Sequence, residues 1–242
     1  QIEGYFETGD LNVKIKIDDY DIYVDYSGTS NQTNRASINC VYNVTHSSTM
    51  YPFKCALVPN IPNNTGLFNP IKVFAPKGSI LNTTFPHPVQ ARAKTTNNIN
   101  QVIFGALCDV FGEFAQAGSG SIWPFSVYGT DESKNIFSCH ILPHGGRGAM
   151  KNMDGLLPIA FPHNSVVTPI EIMELKAPVL FEKKELIPNS GGAGKYRGGL
   201  SQMIIIKNIS KNVIKARIRP DKIVYAASGL NSGLSGIKGQ VF

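Results

Sequence analysis

One tryptophan and a charged fraction of only 17% are the first things this 242-residue chain is short of. Its four cysteines, Cys40, Cys55, Cys108 and Cys139, are widely spaced. None forms a Cys-x-x-Cys or a zinc-type pair, so neither a disulfide framework nor a thiolate metal site is expected. They read as buried free thiols of a reducing, cytoplasmic compartment. No apolar run approaches the roughly 18 residues that span a bilayer, so no membrane helix is expected. The start shows no leader pattern. It opens on Gln1 without a methionine and closes on Phe242 in mid-pattern, as part of something longer would. A Gly-x-Ser-x-Gly elbow, a His-Glu-x-x-His motif and a dinucleotide fingerprint behind a strand are all missing. Basic residues are not interleaved with aromatics, so nucleic acid is not an expected partner.

What the chain does have is glycine and proline, 23 and 15 residues, a loop-rich composition that suits β structure. Charge is uneven around a net of +6. Residues 1–30 carry Glu3, Glu7, Asp10, Asp18, Asp19, Asp21 and Asp25 against Lys14 and Lys16. Residues 176–222 carry eleven cations against Glu182, Glu185 and Asp221. That third could face an anionic ligand or an acidic partner, or form a solvated face.

The stretch Ser190-Gly191-Gly192-Ala193-Gly194-Lys195-Tyr196-Arg197-Gly198-Gly199 lies between two predicted strands, Val179–Ile187 and Leu200–Lys207. Two readings are open. The loop cradles an anion with amides and cations, or it is a tight crossing packed on a neighbouring backbone. It is not a P-loop, because Tyr196 stands where Ser or Thr should bind magnesium and no helix follows.

Alternation predicts a hairpin from Leu11–Ile17 and Asp21–Tyr26. Helical spacing predicts a helix over Ile38–Leu57, kinked or broken at Pro52. Pro59–Pro70 reads as a loop and Ile71–Ala75 as a strand. Asn97–Phe114 carries an apolar stripe, with Thr96 as N-cap, and is expected to pack on a sheet. Strands are predicted at Ile122–Val127 and Asn135–His140. His144-Gly145-Gly146-Arg147-Gly148-Ala149 is a further glycine-rich loop, closed by Asp154-Gly155. Thr168–Leu175 is a short helix or strand, and Leu200–Lys207 with Val213–Arg219 a terminal hairpin. The fold class is α+β, β-rich with a few buried helices, with a possible subdivision near residues 116–120.

His140 and His144 have Pro143 between them, which disfavours a helical metal pair. No metal ligand is assigned. Asp154 reads as a turn residue bonding its own backbone. Glu171 and Glu174 would share a helix face, exposed or functional.

Four stretches together resemble the hydantoinase B family, the second half of ATP-dependent hydantoinases and 5-oxoprolinases. They are Asp25-Tyr26-Ser27-Gly28-Thr29-Ser30, Ser37-Ile38-Asn39-Cys40, Thr168-Pro169-Ile170-Glu171 and the Ser190–Gly199 loop. The turns Ile61-Pro62-Asn63-Asn64-Thr65-Gly66 and Pro76-Lys77-Gly78-Ser79 fit in the same order. The resemblance implies that the chain is the C-terminal portion of a B-type subunit in a hetero-oligomer. It implies a hydantoinase A-like partner that holds ATP and Mg and activates a carbonyl oxygen by phosphorylation. The B half then completes opening of a cyclic amide or, in the related acetone and acetophenone carboxylases, carboxylation of a ketone. A metal ion is implied in an N-terminal half that this sequence does not include. The run Gln90-Ala91-Arg92-Ala93-Lys94-Thr95-Thr96 is closer to carboxylase-like members. A non-catalytic scaffold is the third reading.

Charge developing on a phosphoryl or carboxylate intermediate needs cations and fixed N–H donors. The catalytic candidates are Arg147, Asp154 and His144. The substrate-binding candidates are Arg92, Thr95, Glu171, Lys195 and Arg197.

Overall fold

The computed structural model describes residues 9–34, 37–163, 165 and 167–242. Glu3 and Glu7 of the acidic opening lie outside the described residues. Two compact units emerge, an N-terminal one up to Ala117 with Met150–Asn152, and a C-terminal one of Gly118–Ala149 and Met153–Phe242. The architecture is α+β.

In the N-terminal unit the alternating hairpin forms. Strand β1 (Lys14–Ile17) pairs antiparallel with β2 (Ile22–Asp25), Ile15 opposite Val24. Asp18 fixes the turn by accepting the Asp21 amide at 3.1 Å. The next helix, α1 (Tyr42–Leu57), begins four residues later than its periodicity suggests. Residues 38–40 lie outside the helix instead: the Cys40 amide donates to Ile80 O at 2.7 Å. Asn39, fully buried, accepts the Thr33 amide and donates to the carbonyls of Thr33 and Pro88. Pro52 does not break α1. It forfeits one backbone donor, but its ring is fully buried and packing holds the helix together.

The expected loop at Pro59–Pro70 contains a short helix, α2 (Thr65–Phe68), capped by Asn64, which accepts the Leu67 amide at 3.0 Å. Strand β3 (Ile71–Phe74) runs parallel to β2, Val73 opposite Val24. A parallel pair needs a crossover, and α1 and α2 lie in it.

The strongest apolar stripe gives two helices rather than one. Helix α3 (Arg92–Ala106) starts five residues before Asn97, Leu107 leaves helical geometry, and α4 (Cys108–Phe111) follows. Thr96 is therefore not an N-cap. It sits in the second turn and donates to Ala93 O at 2.9 Å. Helix α3 packs on α1 rather than on a sheet, and Phe111 of α4 meets Phe53 and Phe104 edge-on at 5.7 and 5.9 Å. Val110 and Phe114, expected inside, are exposed.

In the C-terminal unit, β4 (Phe125–Thr130) and β5 (Ile136–Ile141) form an antiparallel hairpin. Thr168–Leu175 resolves as a helix, α5 (Ile170–Lys176). Strands β6 (Val179–Leu186) and β7 (Gln202–Asn208) pair antiparallel across the Ser190–Gly199 loop. The expected terminal hairpin does not form. The last strand, β8 (Lys215–Ile218), pairs with β4, giving the order β5-β4-β8. Asn212 steers the chain there by donating to the carbonyls of Thr130 and Asp131. One face of this sheet closes the core: Val127, Cys139 and Ile141 pack with Met173, Ala177, Val179 and Phe181.

Candidate functional site

The glycine-rich loops of the C-terminal unit are threaded through one another. Three segments, around residues 144–148, 154–156 and 190–199, form a ladder of main-chain bonds without regular strands. Gly155 N donates to Arg197 O at 2.7 Å, Gly199 N to Arg147 O at 2.8 Å, and Arg147 N to Leu156 O at 3.0 Å. Within the long loop, Gly198 N donates to Gly192 O at 3.0 Å. The Ala117–Ser121 loop joins on the other side, Gly120 N donating to Gly146 O at 2.8 Å.

This threading explains the glycines. A Cβ on Gly120 would stand 2.6 Å from the Cα of Gly145. A Cβ on Gly199 would overlap the carbonyl of Leu156, and one on Gly155 the carbonyl of Arg147. Backbones approach here as only glycine permits. The packed-crossing reading of Ser190–Gly199 therefore holds. The amides of Gly198 and Gly199 bond to other backbone, so this loop offers them to no phosphate. The fit to a nucleotide is poor, since position 196 is Tyr rather than the Ser or Thr of a P-loop and no helix follows.

The ladder brings three of the candidate residues together. Asp154 does not cap its own turn as a loop aspartate was expected to. Its Oδ1 accepts the Arg197 amide at 2.8 Å, forty-three positions away in sequence. Arg147 lies on the neighbouring rung. One guanidinium nitrogen reaches Met153 Sδ at 3.9 Å, while its buried Nε has no hydrogen-bond partner among the described residues. A guanidinium with an unmet donor marks a place where an anion would gain.

His144 opens the first of these segments, three residues after β5, and is bridged to Ile122; its carbonyl accepts Gln202 Nε2 at 2.6 Å. The ring is 3% exposed, and neither nitrogen has a partner among the described residues. Burial pushes its pKa below the ordinary value, and the positive charges of His163 and Lys184 push it further down. It is neutral at pH 7. Lys195 is exposed, its ammonium 5.7 Å from the Tyr196 ring.

The other candidates stand apart. Glu171 is exposed on α5, while Glu174 on the same helix accepts the Phe181 amide at 2.8 Å and anchors β6. Arg92 and Thr95 belong to the N-terminal unit. Arg92 is exposed at the start of α3, and Thr95 donates to Ile38 O at 2.6 Å. Its hydroxyl serves the fold. Sequence reading missed the polar inner face of α3, where Lys94, Asn97 and Asn100 are buried. Their signal was a polar run, Lys94 to Asn100, ahead of an apolar stripe. It also missed Ser190, whose hydroxyl donates to Ile187 O and accepts the Ser201 amide, pinning both ends of the glycine loop.

Two of the expected buried thiols, Cys40 and Cys139, are buried, whereas Cys55 and Cys108 are partly exposed. All four are free. Among the described residues no three His, Cys, Asp or Glu side chains cluster as a metal site, and no helix is long and apolar enough to cross a membrane.

The chain belongs to the hydantoinase B/oxoprolinase family, which it matches over residues 1–242. It is 28% identical over 254 residues to a putative D-/L-hydantoinase B-type subunit of a Pseudomonas species, covering 99% of this chain and 42% of that protein. It is 30% identical over 250 residues to the 5-oxoprolinase PfmaA of Pestalotiopsis fici, covering 98% of this chain and 19% of that one. The chain thus spans well under half the length of these relatives. Its fold is that of part of a nucleotide-free acetone carboxylase, from a study of ATP-dependent acetone carboxylation. There the TM-score is 0.82 at 20% identity, over 94% of this chain and 31% of that one.

Proposed function

We propose that this chain is the C-terminal portion of the B component of an ATP-dependent cyclic amide hydrolase of the hydantoinase/5-oxoprolinase type. In this reading an A-type partner holds ATP and Mg and activates the ring carbonyl. The B component completes the opening of the ring. The observation that carries the reading is the ladder that fixes Arg147, Asp154 and Arg197 on adjacent backbone rungs while the Arg147 Nε lacks a partner among the described residues. Membership of the hydantoinase B/oxoprolinase family supports this reaction class.

The roles follow from the chemistry of each group. Arg147 stabilises negative charge that develops on the substrate, an effect of roughly 10²–10³ in turnover when such a donor is lost. Arg197 and Lys195 add cations from the facing loop. Asp154 is a positioning residue, holding the Arg197 backbone. His144, neutral and unpartnered among the described residues, takes or gives a proton once a substrate group reaches its ring. Glu171 and Arg92 remain candidate polar contacts.

A second reading, a subunit of an ATP-dependent ketone carboxylase, is favoured by the likeness to acetone carboxylase. ATP turnover by the complete protein with its A-type partner separates the two. Turnover with hydantoin or 5-oxoproline and release of the ring-opened acid supports the hydrolase. Turnover only with acetone or acetophenone plus bicarbonate supports the carboxylase. Turnover unaffected by any loop substitution supports a scaffold.

A further inference from the structure

The β5-β4-β8 sheet has a second face, turned away from its core. Strand register fixes which residues lie on it. Across the sheet His140, Ser126 and Arg217 form one row, and Ser138, Tyr128 and Lys215 the next. Arg219 continues β8 on the same face, its amide donating to Pro124 O at 2.9 Å. Thr130 and Ile136 complete the set. None of these nine positions carries a carboxylate.

The face is rich in donors. Lys215 and Arg217 are exposed, and Arg219 is close enough to Arg217 for the two charges to repel. Ser126 Oγ and His140 Nδ1 are 2.7 Å apart. Three cations on β8 and the residue that follows it, beside four hydroxyls and an imidazole, give this face a positive field. A flat sheet does not enclose a small molecule in the way a cleft does. A polar, hydrated, single-sign face instead fits a separable protein–protein contact, where charge complementarity sets encounter rate and register.

We propose that this face docks an acidic surface of the A-type, ATP-holding partner. Carboxylates on the partner are met by Lys215, Arg217 and Arg219. The proposal rests on the reading of the chain as a B component, and it deepens it by naming the surface.

The test is binding of the complete B-type protein to its A-type partner by titration calorimetry, at about 50 mM and about 500 mM salt, where surface charges are weakly and strongly screened. The double variant R217E/R219E is compared with wild type and with K183E, which lies on another sheet. Expected is a loss of roughly ten-fold or more for R217E/R219E, a similar weakening of wild type by salt, and little change for K183E. Unchanged Trp123 fluorescence certifies the fold. R217A/R219A serves if the reversal misfolds, with a smaller loss. Wild-type affinity in a folded double variant overturns the docking face and leaves the B-component reading intact. No binding by wild type overturns that reading itself.

Discussion

Gly199→Ala puts the threaded loops to a quantitative test. The added methyl would overlap Leu156 O and stand 2.9 Å from Arg147 N. Both neighbours are backbone, so no side chain can swing aside. The loops must part, and the rungs Gly199 N to Arg147 O, Arg147 N to Leu156 O and Gly155 N to Arg197 O go with them. Each rung contributes about 1 kcal/mol net, and forced overpacking costs about 1–3 kcal/mol more. With partial relaxation the expected loss is about 3–5 kcal/mol, a large share of the ~5–15 kcal/mol that holds a domain folded. Urea unfolding followed by Trp123 fluorescence is the assay, because the lone tryptophan lies in the same unit as the loops. Gly105→Ala is the control. It is in α3 with nothing within 4 Å of the added carbon, and helix propensity predicts a gain of about 0.5–1 kcal/mol in that unit. A Gly199→Ala variant within about 0.5 kcal/mol of wild type would refute the reasoning.

Three further perturbations bear on the same structure. His144 has a folded pKa held below its unfolded one, so its contribution is complete above about pH 6.5 and drains as pH falls toward the folded value. The urea midpoint should drop between pH 7.5 and 5.5, by less in His144→Gln, and an unchanged midpoint contradicts the buried neutral ring. Burial pushes the Cys40 thiol up to about 12 and raises Cys55 and Cys139 as well. Access separates the four, so a maleimide should label the partly exposed Cys55 and Cys108 in the native protein and reach Cys40 and Cys139 only on unfolding; mass spectrometry showing early labelling of Cys40 would be fatal to that placement. Tyr26→Phe removes a buried hydroxyl 2.7 Å from Thr49 Oγ1, which still donates to Thr45 O at 2.8 Å. The cost should be about 1 kcal/mol, and a neutral result would show that the pair is not formed.

Local patterns were the legible part of this chain. Strict alternation gave β1 and β2, and the glycine-rich punctuation gave β6 and β7 on either side of one loop. Pairing was not legible: β8 reads as a hairpin partner of β7, whereas it pairs with β4, and Asn212 bonds the Thr130 and Asp131 carbonyls ahead of it. Periodicity also misplaced α3, because its first two turns bury polar side chains, Lys94 to Asn97, which an apolar stripe does not include. In the site, the residue types were visible but their contacts were not. Asp154 reads as a turn aspartate until the chain brings Arg197 to it from forty-three positions away. Thr95 reads as a binding hydroxyl until Ile38 O appears beside it. Long-range approach of backbone to backbone leaves only glycine as its trace, and glycine alone does not say what approaches.

The most direct measurement is substrate-dependent ATP turnover by the complete B-type protein with its A-type partner, wild type against Arg147→Ala, with assembly checked in parallel. The account predicts turnover with a hydantoin or 5-oxoproline that falls roughly 10²-fold or more in the variant while the complex still forms. Equal turnover in wild type and variant would contradict a catalytic role for the threaded loops.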